Sequence, residues 1–133
     1  MDSTVPRSTC PVAVTVASEQ EPVKCEGVYA EHSGGFALDF NIGAEKFTVT
    51  HAEDCTRVTA HGGAMSYDIA LSEKPSSVLL GTPFGEMRFT VKTLERTVER
   101  ADGFLRVALK YVLSSAAAGD IERAVDVTAW FLQ

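Results

Sequence analysis

The 133-residue sequence has little of several things. It contains three cysteines, Cys10, Cys25 and Cys55. That number is small and odd, which excludes the disulfide framework of a small secreted domain. Basic residues are in deficit: 12 Lys+Arg against 18 Asp+Glu leave a formal charge of −6. A nucleic-acid groove needs clustered cations interleaved with aromatics, and aromatics are only 8% of the chain. The same negative balance argues against an anionic membrane surface. No apolar run approaches the roughly 20 residues of a membrane helix. The first residues, with Asp2 and Pro6, lack the apolar core of a secretory signal. These absences lead us to expect a cytoplasmic protein with no nucleic-acid and no membrane partner.

Catalytic signatures are missing too. There is no Gly-x-Ser-x-Gly elbow, no phosphate-binding loop, no Gly-x-Gly-x-x-Gly and no Cys-x-x-Cys. His61-Gly62-Gly63-Ala64 has the look of an oxyanion loop but no nucleophile elbow accompanies it. His51, Asp54, Cys55 and His61 are close in sequence without a recognised ligand spacing, so no metal is expected. No cofactor or catalytic residue is assigned.

What the chain does have is alternation. Phe36, Leu38, Phe40 and Ile42 share one parity, with Ala37, Asp39 and Asn41 between them. Val12, Val14 and Val16 repeat the pattern, as do Phe47 and Val49, then Met65, Tyr67, Ile69 and Leu71, then Met87, Phe89 and Val91. A strand sends successive side chains to opposite faces, so each segment carries one apolar and one polar face. Glycine-containing turns fall between the runs: Ser33-Gly34-Gly35, Ile42-Gly43, His61-Gly62-Gly63, Gly81 to Gly85 and Asp102-Gly103. Short strands punctuated every 8–12 residues imply a sandwich or a barrel. Residues 1–10 read as a flexible N-terminal segment and 11–133 as one domain.

Two stretches are ambiguous on periodicity. Leu105 to Leu113 fits a strand, yet Leu105, Ala108, Leu109 and Val112 also form a helical stripe. Thr93 to Ala101 fits either a strand or a helical turn, and its Arg96 and Arg100, mixed with Glu95 and Glu99, read as a solvated charged face. Trp130, out of phase with Val127, Ala129 and Phe131, is expected on the outer surface, where it could anchor a homodimer.

Several of these motifs together resemble a family. Gly81-Thr82-Pro83-Phe84-Gly85 leads into alternating Met87, Phe89 and Val91. Asp102-Gly103 is followed by Leu105-Arg106-Val107-Ala108-Leu109-Lys110-Tyr111, and Gly27-Val28-Tyr29 and His61-Gly62-Gly63-Ala64-Met65 precede them in order. Across residues 11 to 132 the chain resembles the YwiB-like family of small bacterial proteins of unknown function. The resemblance implies an all-β fold, an antiparallel closed β-barrel of about 8–10 strands of the calycin (lipocalin-like) type. It also implies strands for the two ambiguous C-terminal stretches. The family often has an arginine where this chain has His61; Arg57 is the residue that could reach that neighbourhood.

If the apolar parity faces inward, the barrel is either filled by side chains or open enough for one small ligand. The leading expectation is a non-enzymatic barrel that holds a small apolar or amphipathic molecule. The lumen residues expected to meet it are Phe40, Tyr67, Met87, Phe89, Tyr111 and Arg57. The alternative is a structural or interaction module with a filled core, working through its outer surface as a homodimer.

Overall fold

A computed structural model describes residues 9–18, 21–32, 34–63 and 66–132. Met65, one of the expected lumen positions, lies outside the described residues, as do the first eight. Ten antiparallel strands follow one another: β1 (Thr9–Ala17), β2 (Val23–His32), β3 (Gly35–Ile42), β4 (Glu45–Ala52), β5 (Cys55–His61), β6 (Tyr67–Leu71), β7 (Ser76–Thr82), β8 (Gly85–Ala101), β9 (Phe104–Ser115) and β10 (Gly119–Phe131). β1 starts at Thr9, so Thr9 and Cys10 belong to the sheet and not to the expected N-terminal segment. The helical option for residues 105–113 is gone, because β9 pairs along its whole length with β10.

One sheet contains all ten strands in the order β6-β5-β4-β3-β2-β1-β10-β9-β8-β7. It rolls up until its two edges, β6 and β7, meet. Among the described residues the main-chain closure there is a single bridge, with Ser66 N–H donating to Gly81 O at 3.0 Å and Gly81 N–H to Ser66 O at 2.8 Å. At the other end of the seam the Ser76 hydroxyl donates to Ala70 O at 2.9 Å. The result is a nearly closed antiparallel barrel.

Sharp turns set the register. Ile42 pairs with Glu45 across Gly43-Ala44, and Gly43 has φ of +62°, the conformation a two-residue turn starting with glycine requires. Gly27 meets a different demand. A methyl group at its Cα would lie 2.7 Å from Asp39 O and about 3 Å from Val14 and Phe40, so the bare backbone lets β1 and β3 close in on β2.

The parity read from the sequence is the parity of the barrel. Val12, Val14, Phe36, Leu38, Val49, Ile69, Leu71, Val91, Leu105, Val107, Val127 and Ala129 are all buried inside. Asp39 lies on the outer face, where its carboxylate accepts from Thr48 Oγ1 at 2.6 Å.

The parity changes once, in β8. Phe89 and Val91 point inward, but the register against β9 slips between Thr93 and Glu95. Leu94 is the extra residue of this bulge and is exposed. Beyond it Arg96, Val98 and Arg100 pair with Leu109, Val107 and Leu105, whose side chains face the interior. Arg96 therefore turns inward and is partly buried, which corrects its reading as part of a solvated charged face; Arg100 shares that phase but stays half exposed, and Glu95 and Glu99 are exposed as expected.

Arg96 reaches across to the β4–β5 hairpin. Its guanidinium donates to Ala52 O at 3.2 Å, Thr56 Oγ1 at 3.2 Å and Glu53 O at 2.9 Å. Arg100 sits 5.1 Å from the ring centre of Phe36 and 3.6 Å from the Glu31 carboxylate. β7 pairs with β8 only as far as Val91, so no strand covers this part of β8 on that side. The two arginines supply the contacts across the barrel there.

Thr56 is fully buried, and its hydroxyl lies 2.8 Å from His51 Nδ1. A guanidinium can only donate. Thr56 Oγ1 thus accepts from Arg96, and the same hydroxyl is hydrogen-bonded to His51 Nδ1. Burial, then the charges of Arg96 and Arg100, hold the His51 pKa below its usual 6.5. With Tyr29 edge-on to Phe131 at 5.1 Å, these groups plug one end of the barrel.

Replacing Arg96 by Met is expected to destabilise the fold by about 3 kcal/mol, since charge-assisted hydrogen bonds are lost and Thr56 keeps a buried hydroxyl. Arg96→Lys should recover little, because one ammonium cannot reproduce a fork. Thermal unfolding followed by circular dichroism measures both; Arg57→Met on the outer face is the control and should shift stability by no more than about 0.5 kcal/mol.

His51 adds a pH dependence of definite sign. Its pKa is lower folded than unfolded, so unfolding takes up a proton between the two values. The contribution is complete above about 6.5 and is lost as pH falls through that value and then the folded one. Denaturant unfolding at pH 7, 6 and 5 should show falling stability, and His51→Gln should flatten that slope.

Candidate functional site

The hairpins β1–β2, β3–β4, β7–β8 and β9–β10 gather at the end opposite the plug, together with the β5–β6 connection. Here the described residues leave the interior partly open. A cavity of about 260 Å³ opens among inward-facing residues of eight strands and of the β1–β2 connection. Phe40, Phe47, Val49 and Val58 line one wall, and Val16, Val23, Val125 and Val127 the other. Phe40 and Phe47 face each other across β3 and β4 with ring centres 5.6 Å apart and planes 17° from parallel. Tyr67 and Tyr111 bring the phenols; Ser18, Glu21, Glu45 and Arg123 bring the polar rim.

Each rim group is where the alternation puts it. Glu45 is in phase with Phe47 and Val49, and Arg123 with Val125 and Val127, so both belong to the inner face at its water-exposed end. Tyr111 is buried and has an interaction partner, as does Arg123. Tyr67 differs: its hydroxyl makes no hydrogen bond among the described residues. Burial pushes its phenol up, the nearby Glu45 carboxylate pushes it the same way, and Arg123 opposes them. The phenol is therefore an intact O–H donor at neutral pH.

Of the six residues expected in the lumen, the structure brings three to the cavity: Phe40, Tyr67 and Tyr111. Phe89 is inward-facing and buried but lies in the packed part, opposite Val78. Met87 has the inward parity, yet its position near the tip of the β7–β8 hairpin leaves it 39% exposed and outside the cavity lining. Arg57 is a correction. It has the outward parity of β5 and donates to Asp68 on the outer surface at 2.9 Å, with both side chains about half exposed. The carboxylate one strand away holds it there, and it cannot serve the lumen.

Sequence periodicity singled out bulky apolar residues and passed over Glu21, Glu45 and Arg123. The signal for two of them was present: a charged residue one step before an inward-facing run, at the mouth end of its strand, occupies the rim.

The polar groups weighed for metal binding do not converge. His51 faces Thr56 at the plugged end, whereas His61 pairs with Lys46 at the far end of β5. Among the described residues no group of three His, Cys, Asp or Glu is placed to hold a metal ion. Cys10, Cys25 and Cys55 are all free, and burial pushes the Cys25 thiol up, away from the reactive thiolate. Another depression of about 260 Å³ lies on the outer face around Arg106, Lys110 and Asp126. Its arginine is already committed to Asp126 and Glu99.

No protein-family model and no curated protein matches this sequence. A solved structure does match: the crystal structure of ywiB protein from Bacillus subtilis. The likeness has a TM-score of 0.78 and covers 98% of both chains at 16% sequence identity. At that identity the match shows a shared barrel fold and carries no function with it. No helix among the described residues is long and apolar enough to cross a membrane.

Proposed function

We propose that this chain is a calycin-like, non-enzymatic barrel that holds one small amphipathic molecule in its mouth, in a reducing cytoplasm where its three thiols stay free. The observation that carries the reading is the asymmetry of the interior. The same alternating pattern fills the plugged end with Phe36, Leu38 and Leu105 but leaves about 260 Å³ open at the other. A ligand site is a mostly apolar concavity with a few convergent polar groups, and the mouth has that composition. At about 260 Å³ the cavity lies near the lower end of ligand-pocket sizes, which suits a small molecule. Tyr67 offers such a ligand a hydrogen bond that the protein itself does not use.

Titration of the labelled protein with 2-phenylethanol tests this by amide chemical shifts. Saturable shifts confined to Phe40, Phe47, Val58, Tyr67 and Val125 are expected, and Val125→Trp should abolish them by filling the wall. Shifts scattered over the outer face, or none at millimolar probe, would remove the cavity as a binding site.

A second reading rests on the outer surface at the plugged end. Trp130 is half exposed, tilted against Phe104 at 5.2 Å, and Val28 and Leu132 are similarly exposed. Strand pairing makes them neighbours: Pro11 pairs with Val28, its carbonyl accepts from Leu132 N–H, and Trp130 pairs with Ala13 and Phe104. Such an apolar stretch across β2, β1, β10 and β9 suits the core of a two-fold homodimer. Light scattering should then give a dimer mass for the wild type and a monomer for Trp130→Ala; a monomeric wild type eliminates this reading.

A further inference from the structure

The charge at the cavity mouth narrows the ligand, given that the cavity is a binding site at all. Three described rim groups are ionisable at neutral pH: Glu21, Glu45 and Arg123. Arg123 already has a partner. Neither Glu21 nor Glu45 forms a hydrogen bond or ion pair among the described residues. The rim therefore presents two carboxylates that can only accept, beside a phenol that remains protonated. Below them the walls are valines and the rings of Phe40, Phe47 and Tyr67.

We infer that the ligand is a small amphipathic amine: an apolar or aromatic body with one protonated amino group. The body would enter between the Phe40–Phe47 pair and the valines of β10. The ammonium would stay at the mouth, donating to Glu45 and Glu21, with Tyr67 within reach of any second polar group. The two rim carboxylates favour that sign over the single arginine. A cation balances them, and an ammonium supplies the donors that acceptor-only groups lack. A carboxylate head meets the opposite situation. It would sit beside Glu21 and Glu45, two carboxylates of its own sign.

Position within the strands makes Glu45 the central contact. It is the first residue of β4, held by the Gly43-Ala44 turn and in phase with Phe47 directly below. Its side chain also lies over Gly63, where even a methyl group would come within 2.1 Å of its Cγ. The glycine in the β5–β6 connection leaves space for this carboxylate to lie at the mouth.

The test is a matched series of three probes on the intact protein: 2-phenylethylamine, 2-phenylethanol and 3-phenylpropionate. They share a phenyl body and differ in head charge. Dissociation constants come from the same amide-shift titration at low salt. The amine is expected to bind at least tenfold tighter than the alcohol, with the carboxylate weakest, and 150 mM salt should reduce the amine's advantage. In Glu21→Gln/Glu45→Gln the amine should fall to the affinity of the alcohol, while the alcohol is unchanged. An alcohol that saturates the cavity while the amine binds no better, or a carboxylate that binds best, overturns this inference and leaves the cavity reading standing. A preference for amine that survives in the double variant also overturns it. If none of the three probes shifts the cavity residues, the cavity reading itself has failed and takes this inference with it. The wild-type ranking decides the matter even should the double variant fold poorly.

Discussion

A rolled sheet has two edges, and the structure depends on how they are made to meet. Among the described residues β6 and β7 share one pair of main-chain hydrogen bonds, between Ser66 and Gly81. Everywhere else on the circumference a full ladder joins neighbours. Unsatisfied edges invite pairing with other chains, so a barrel gains from closing them. Closure at the plugged end is made by side chains. Arg96 spans the interior from β8 to three acceptors on the β4–β5 hairpin, and Arg100 engages Phe36 and Glu31. Five donors in a rigid fork can tie backbone carbonyls that no strand reaches.

This closure also explains why the two ends of the interior differ. Polar groups at the plugged end are mutually satisfied: guanidinium to threonine, threonine to histidine, arginine to glutamate. Those at the mouth are not, since Tyr67, Glu21 and Glu45 lack hydrogen-bond partners among the described residues. A buried polar group normally finds a partner. Satisfied groups hold a fold, and unsatisfied ones at the edge of an apolar cavity are suited to recognition.

The fold was legible in the sequence because period-two alternation survives almost everywhere. Phe36 to Ile42 alone defines β3 and its buried face, and the glycine turns mark the strand ends. The family resemblance led to strands for Leu105–Leu113, where periodicity allowed a helix. Three features were not legible. The bulge at Leu94 reverses inside and outside within one strand, so Arg96 looked like a surface residue; nothing local announces a register slip. Arg57 has outward parity, but the family's arginine at the position of His61 suggested it for the lumen, and its ion pair with cross-strand Asp68 shows it on the outside. The cavity itself was not readable, because parity tells which residues face inward and not whether they meet. Phe89 and Phe40 have the same signature; one is packed against its neighbours and the other lines open space.

The direction of the chain through the barrel has a practical corollary. β1 begins and β10 ends at the plugged end, with Val12 paired to Phe131. A fusion partner, an affinity handle or a solid support joined directly at Thr9 or Leu132 would thus stand at the closed base. The protein tethered in this way would present its vacant side to the surrounding liquid, like a cup fixed by its foot.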